Sequence, residues 1–260
     1  MLLAVNVGNT NTGVGLFRGE ELAHRWRLSS SPRRTADEIA VVLGALLQSV
    51  GLSFAREITG VAIASVVPAA TTELRDMVHR YFGFRPVVVE PGTRTGLPIL
   101  TDNPKEVGAD RIVNAIAAHH RFGGPVIVVD FGTATTYDVV SAKGEFLGGV
   151  IAPGVQISNA ALSASTARLP QVELQAPRSV IGRNTVDAIQ SALVYGTAAE
   201  ADGLVERIRS ELGAEAPAVA TGGLAWLVAP HCRTISEHDE WLTLEGLRLV
   251  FERNVGAADA

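Results

Sequence analysis

The sequence predicts an α/β fold of two related halves, each with a mixed sheet flanked by helices. Strand-like apolar runs alternate with segments of helical period along the 260 residues. An apolar strand, a polar turn and a second strand occur twice, and Asn6-x-Gly8 in the first copy matches Asp130-x-Gly132 in the second. A repeat of this length indicates a domain duplication, although two ordinary hairpins can also coincide by chance.

In the first copy, a turn of sequence Gly-Asn-Thr-Asn-Thr joins the first two strands, and a loop rich in Pro, Gly and Thr covers residues 91–104. Thr35 and Glu38 have capping-box spacing, so a helix is expected to begin there. Strands are predicted at residues 2–7, 14–17, 22–28, 61–67 and 86–90, and helices at residues 35–50, 72–81 and 105–121.

The strand pattern restarts at Pro125, so we divide the chain into an N-terminal half, residues 1–122, and a C-terminal half, residues 123–260. Two such halves can face each other across a central cleft, the usual place for a ligand. In the second half, strands are predicted at residues 126–129, 137–140, 145–150 and 217–220, and helices at residues 156–167, 185–212 and 242–253.

The composition restricts the possible partners. Hydrophobic residues make up 47% and charged residues 19%, with a net charge of -5. This balance is typical of a globular protein without the basic face that nucleic acid requires. A single cysteine, Cys232, cannot form an internal disulfide, which favours the cytoplasm. The apolar start at residues 2–5 is too short for a signal peptide or membrane span, so we expect no membrane partner.

The two polar turns have the composition of phosphate-binding loops. Glycine lets the backbone approach a ligand, successive amide groups can form an anion-binding nest, and Asn and Thr add neutral donors. The repeat frame also pairs Thr12 with Thr136. For each turn alone, simple closure of a hairpin is the better interpretation, but the pair together favours a polyphosphate ligand. There is no P-loop and no Gly-x-Gly-x-x-Gly motif. Thr221-Gly222-Gly223 suits the close approach of a flat ligand such as adenine, or any tight turn.

Four motifs occur in a fixed order along the chain: Gly8-Asn9-Thr10-Asn11-Thr12, Gly108-Ala109-Asp110-Arg111, Asp130-x-Gly132-Thr133-Ala134 and Gly182-x-Asn184-Thr185. This set resembles the type III pantothenate kinases, which belong to the actin-like and sugar-kinase-like ATPase superfamily and have two ribonuclease-H-like halves. The resemblance runs from Met1 to about Asn254.

The resemblance implies an enzyme that uses ATP to phosphorylate pantothenate to 4'-phosphopantothenate, the first step of coenzyme A biosynthesis. It implies that Asp110 is the proton acceptor, that Asp130 helps to hold a monovalent cation, K⁺ or NH₄⁺, and that Mg²⁺ accompanies ATP. Members are homodimers with pantothenate bound near the subunit interface. The implied pantothenate contacts are Gly108, Ala109, Asp110, Arg111 and Thr185. The implied ATP contacts are Asn6, Val7, Gly8, Asn9, Thr10, Asn11, Thr12, Gly13 and Thr133.

The chemistry agrees with these implied roles. Phosphoryl transfer requires positioning and charge neutralisation more than covalent chemistry. A carboxylate such as Asp110 can accept a hydroxyl proton, and the donors of Arg111 suit a substrate carboxylate. From the residues alone, two exposed charges at a helix start would be the favoured interpretation of Asp110 and Arg111.

Asn6 departs from the family pattern, in which an aspartate stands at this position. Asparagine keeps the shape and one carbonyl acceptor but loses the charge, whereas Mg²⁺ prefers anionic oxygens. The sequence therefore leaves a second hypothesis open, a catalytically impaired relative that acts as a binding or regulatory protein.

Overall fold

The computed structural model describes residues 1–54 and 56–255, and these contain ten strands and eight α-helices. The strands are β1 (Leu2–Val7), β2 (Asn11–Arg18), β3 (Glu21–Ser29), β4 (Gly60–Ser65), β5 (Val87–Val88), β6 (Val126–Phe131), β7 (Ala134–Val140), β8 (Phe146–Pro153), β9 (Ala218–Thr221) and β10 (Ile235–His238). The helices are α1 (Ala36–Ser49), α2 (Pro68–Phe82), α3 (Ala109–Phe122), α4 (Val155–Ala164), α5 (Thr185–Ser191), α6 (Thr197–Leu212), α7 (Ala225–Val228) and α8 (Leu242–Val255).

The two sheets have the same topology. The first has the strand order β3-β2-β1-β4-β5, and the second has the order β8-β7-β6-β9-β10. The first strand of each sheet pairs antiparallel with the next strand in the chain and parallel with the fourth. Every strand of one sheet therefore has a counterpart at the same place in the other. This confirms the predicted α/β fold with two related mixed sheets flanked by helices.

The two turns differ in length by one residue. Val7 lies opposite Thr12 in the first hairpin, whereas the corresponding Phe131 lies opposite Thr135 in the second. The first connection is therefore one residue longer. The predicted pairing of Thr12 with Thr136 was wrong, because a fixed sequence offset assumes turns of equal length.

The chain forms two compact units. Of the described residues, the first contains 1–54, 56–98, 102–117 and 242–255, and the second contains 99–101 and 118–241. Helix α8 thus belongs to the first unit, although the sequence analysis placed all residues after 122 in the C-terminal half. Its close packing explains this assignment, since a side chain at Gly246 would overlap the backbone of Val113 in α3, and one at Gly60 in β4 would overlap Phe251.

Each unit has its own apolar core. In the first, Leu3, Val5 and Ile63 are completely or almost completely buried, and in the second Ile127 and Val129 are equally inaccessible. These residues lie on the central strands, which are covered on both faces and therefore carry apolar side chains in succession. None of the helices in the described ranges is long and apolar enough to cross a membrane.

Several local predictions are confirmed and others are revised. Thr35 caps α1 with the predicted reciprocal bonds to Glu38. The helix expected from residue 105 begins at Ala109, after a short 3₁₀ turn at Pro104–Glu106. The helix expected at 185–212 is divided into α5 and α6 by a π-helical turn at Ala192–Gly196. Strand β10 and helix α7 are short elements that the sequence analysis did not predict.

Candidate active site

The two central strands, which are otherwise apolar, carry a polar residue at the same position. In β1 the only residue that is not fully buried is Asn6, and in β6 it is Asp130. Both lie near the carboxyl end of the strand, just before the turn. The side-chain oxygen Oδ1 of Asn6 is buried and has no hydrogen-bond partner among the described residues. An unsatisfied buried acceptor is costly and rare, so this atom fits a donor or cation that binds with the ligand.

The first turn is held in shape by a residue that sequence reasoning missed. The Ser30 hydroxyl donates to the carbonyl oxygen of Gly8 at 2.6 Å and bonds to the Thr12 hydroxyl at 2.9 Å. The Ser30 amide also donates to the carbonyl oxygen of Thr10. Asn9, Thr10 and Asn11 at the tip are exposed to solvent. The turn therefore presents polar groups from a braced backbone, as a phosphate-binding loop must.

The segment that precedes Asp110 is built by local hydrogen bonds. Asn103 accepts from the Lys105 amide and donates to Glu106 Oε1 at 2.6 Å, which closes the 3₁₀ turn. The chain then continues to Gly108, whose carbonyl oxygen accepts from the Ile112 amide and starts α3. The sequence motif in this stretch therefore forms a turn that places Asp110 at the beginning of helix α3.

The Asp110 carboxylate occupies the space that a side chain at position 108 would take. A Cβ atom on Gly108 would lie 2.5 Å from Asp110 Oδ1. The same oxygen accepts from the Arg111 amide at 2.8 Å. Burial raises the pKa of Asp110, and the Arg111 amide and charge oppose that rise only in part. A carboxylate with a raised pKa is a better proton acceptor.

The segment that leads into Asp110 lies near the first turn. The Val66 amide donates to the carbonyl oxygen of Val7 at 3.0 Å. A Cβ on Gly108 would lie 3.6 Å from Val66 Cγ1. Val66 therefore lies between Val7, where the first turn begins, and Gly108, two residues before Asp110.

In the second unit, glycines surround the turn after β6. A side chain at Gly222 would overlap Asp130 Oδ1 and the Phe131 backbone, and one at Gly154 would overlap the Thr133 carbonyl group. Gly222 also has a φ of 94°, which only glycine adopts readily. The Thr221-Gly222-Gly223 turn is thus in contact with the predicted phosphate turn. Gly154 was not identified from the sequence.

The groups around Asp130 suit a cation with oxygen ligands. Asp130 lies opposite Thr221 on the neighbouring strand. The Thr221 hydroxyl oxygen is buried and has no hydrogen-bond partner in the part of the chain that the structure describes. Within the same residues no three His, Cys, Asp or Glu side chains are grouped as a metal site. Asp130 and Thr221 offer a carboxylate and a hydroxyl, which are the oxygen donors that hard cations prefer.

Thr185 begins helix α5 after a rigid turn. The Asn184 side chain accepts from the Asp187 amide and donates to its carboxylate, both at 2.9 Å. A side chain at Gly182 would overlap the Ala188 backbone, so this glycine is required for the close packing. The motif thus fixes an exposed Thr185 at a helix start.

The structure therefore groups the predicted site residues within each unit. Asn6, residues 7–13 and the Gly108–Arg111 segment are neighbours in the first unit. In the second unit Asp130 adjoins the Thr221-Gly222-Gly223 turn, Thr133 adjoins Gly154, and Thr185 lies on a separate braced turn.

Comparisons with known proteins show which family the chain belongs to. The sequence model of a family described as type III pantothenate kinase matches residues 2–207. The chain is 59% identical to a type III pantothenate kinase of Frankia alni, over 98% of this chain and 100% of that protein. It is 55% identical to one of Streptomyces griseus, over 99% of this chain and 100% of that protein.

Solved structures support the fold at low identity. A ROK hexokinase from Thermus thermophilus aligns with a TM-score of 0.56 and 11% identity, over 100% of this chain and 99% of the other. Component A of (R)-2-hydroxyglutaryl-CoA dehydratase from Acidaminococcus fermentans aligns with a TM-score of 0.57 and 13% identity, over 100% and 99%. The extent and level of the sequence matches confirm the resemblance drawn from the motifs, and the chain belongs to the type III pantothenate kinase family.

Proposed function

We propose that this chain transfers the γ-phosphoryl group of ATP to the hydroxyl group of pantothenate, the first step of coenzyme A biosynthesis. The observation that carries the proposal is the environment of Asp110. Its carboxylate is partly buried and oriented by the Arg111 amide, and Val66 links the preceding Gly108 to the end of β1, where the first turn begins. That is the arrangement required of a group that accepts a proton next to a bound phosphate.

In the proposed reaction the hydroxyl oxygen of pantothenate forms a bond to the γ-phosphorus. The bond from that phosphorus to the β,γ-bridging oxygen breaks, ADP leaves, and the hydroxyl proton passes to Asp110. The turn at residues 6–13 and Thr133 hold the nucleotide, whereas Gly108, Ala109, Arg111 and Thr185 hold pantothenate.

The proposed cations are Mg²⁺ with ATP and a monovalent cation, K⁺ or NH₄⁺, near Asp130. A bound Mg²⁺ supplies neutralisation of phosphate charge. Asn6, whose Oδ1 is orphaned, would help to hold Mg²⁺ with ATP, and Asp130 and the Thr221 hydroxyl would supply oxygen donors to the monovalent cation. These donors fit the two cations by their chemistry.

A homodimer in the cytoplasm is part of the proposal. Strand β8 is the edge of its sheet, and alternate residues along it are exposed. Among them are Leu147, which is 38% exposed, and Ile151, which is 65% exposed. Val180 and Ile181 on the loop before α5 are also highly exposed. Apolar side chains on an edge strand favour cover by a partner. Sedimentation should show a dimer at micromolar protein, and a monomer would count against it.

The experiment that tests the activity is a coupled assay of ADP release with and without pantothenate, in K⁺ and in Na⁺. We expect turnover that requires pantothenate and is faster in K⁺. ATP binding without any pantothenate-dependent turnover would instead support the binding or regulatory role that Asn6 suggested.

The Asp110→Asn variant tests the residue that carries the proposal. Turnover should fall by about 10²- to 10⁴-fold, with ATP affinity by calorimetry nearly unchanged. Burial raises the folded-state pKa of Asp110, so its charged form is disfavoured in the folded protein and stability falls as pH rises through that pKa. The neutral variant should therefore be at least as heat-stable at pH 7, which excludes unfolding as the cause. An unchanged turnover number would remove Asp110 from this role.

A further inference from the structure

Asn114 is a buried polar residue of helix α3 to which the proposed reaction gives no role. Its side chain is 1% exposed, and the neighbouring Val113 and Ala115 are completely buried. The hydroxyl group of Thr243, in the first turn of α8, donates to Asn114 Oδ1 at 2.7 Å. A buried amide is costly unless it is hydrogen-bonded, so this bond favours one particular match between the two helices.

The two helices also meet at their backbones. A side chain at Gly246 in α8 would overlap the carbonyl group of Val113 in α3, so only glycine permits this approach. Close-packed backbones and a directional hydrogen bond leave the helices little freedom to slide or rotate against each other. Helix α8 therefore fixes α3 at two successive residues, Val113 and Asn114.

Asp110 lies one helical turn before this contact. In an α-helix, residues four apart lie on the same face, and the amide of the second bonds to the carbonyl oxygen of the first. Asp110 and Asn114 have this relation in α3, so a shift of Asn114 is passed directly to the Asp110 backbone. The chain before α3 offers less support, because residues 102–106 are all exposed to solvent. The position of Asp110 therefore depends on how α8 holds α3.

From these contacts we propose that Thr243 and Asn114 are positioning residues, which place the Asp110 carboxylate for proton acceptance by holding the start of α3 on α8. The inference rests on the proposed function for the role of Asp110. Thr243 acts through Asn114, and Asn114 acts through the helix backbone. The pair should therefore affect the rate of the chemical step and leave nucleotide binding by the first turn unchanged.

Steady-state kinetics of Thr243→Val test the proposal. Valine keeps the shape of threonine but leaves Asn114 Oδ1 without this donor. We expect kcat to fall by roughly ten- to a hundredfold, as for a misplaced reacting group, with KM for ATP changed by less than about twofold. Thr243→Ser keeps the hydroxyl group and should restore most of kcat. Thr71→Val is the matched control, because that hydroxyl group donates to the Val67 carbonyl oxygen at the start of α2, and it should change neither constant.

A second background separates positioning from a general loss of stability. The Asp110→Asn variant lacks the carboxylate, so adding Thr243→Val to it should lower kcat by less than about threefold. Thermal unfolding followed by circular dichroism shows whether each variant is folded at the assay temperature. If Thr243→Val is not, Thr243→Ala compared with Thr243→Ser gives the same test, since these two differ only in the hydroxyl group. An equal loss of kcat in both backgrounds, or a kcat for Thr243→Val within about threefold of the wild type, would overturn the inference.

A spectroscopic measurement separates this inference from the proposed reaction. The ¹³C resonance of the Asp110 carboxyl group can be identified by its absence from the spectrum of Asp110→Asn. It should move in Thr243→Val and stay in place in Thr71→Val, because only the first variant releases α3. If the wild type shows no pantothenate-dependent turnover but the resonance moves, the proposed reaction fails while the positioning inference stands. An unmoved resonance would overturn the inference whatever the kinetics.

Discussion

Substitution of Gly108 by alanine should damage catalysis without damaging the fold. The added Cβ would lie 2.5 Å from Asp110 Oδ1, whereas ordinary contacts begin at 3.4 Å. The carboxylate must therefore move by about 0.9 Å and weaken its bond to the Arg111 amide. A displacement near 1 Å costs on the order of 10²-fold in rate, or about 2.7 kcal/mol of transition-state stabilisation.

The stability of the Gly108→Ala variant should change little. The crowded atom is the end of a side chain that can rotate, and the next neighbour, Val66 Cγ1, would be at an ordinary 3.6 Å. Gly203→Ala is the control. This helix glycine has nothing within 4 Å of an added Cβ, so the control should keep full turnover and gain about 0.5–1 kcal/mol of stability.

The assay is kcat for pantothenate phosphorylation in a double-mutant cycle with Asp110→Asn, alongside thermal unfolding of each variant. If alanine at 108 acts only by displacing Asp110, the double variant should be no slower than Asp110→Asn alone. A kcat for Gly108→Ala within threefold of the wild type would refute the reasoning. So would a further hundredfold loss in the double variant.

Three other predictions concern separate parts of the chain. Asn6→Asp should raise turnover roughly ten- to a hundredfold and lower the Mg²⁺ concentration needed for half-maximal rate. The reason is that it places a negative charge for the proposed Mg²⁺ at a buried acceptor that has no partner among the described residues. Superimposable Mg²⁺ titrations would show that the asparagine has no effect on catalysis. Asp202→Ala should cost about 2–4 kcal/mol, because the buried carboxylate accepts from the amides of Arg233 and Thr234. Burial opposes ionisation of Asp202 but these bonds prevail and lower its pKa, so its contribution is present above the ordinary carboxyl pKa and lost as pH falls through the folded-state value, as acid unfolding of both proteins would reveal. Burial, with a smaller effect of Asp202, raises the pKa of Cys232 to about 12, so iodoacetamide at pH 8 should label it only on unfolding; rapid labelling of the folded enzyme would contradict this.

The sequence predicted those features that depend on local chemistry. The apolar runs of β1 and β6, the capping box at Thr35 and the repeated strand–turn–strand unit were all readable, because side-chain period and cap residues act over a few positions. The order of the four motifs was sufficient to identify the family. Their site roles remain predictions, which the experiments above address.

Tertiary structure decided the features that depend on distant parts of the chain. The sequence could not show that Ser30 braces the first turn, that Asp110 fits against Gly108 beside Val66, or that α8 packs with the first unit. Each depends on contacts between residues far apart in sequence or on turn lengths that shift the register, as in the one-residue difference between the two hairpins. Hydrophobic pattern determines which face of an element is buried, but packing determines which backbone atoms come so close that only glycine fits between them.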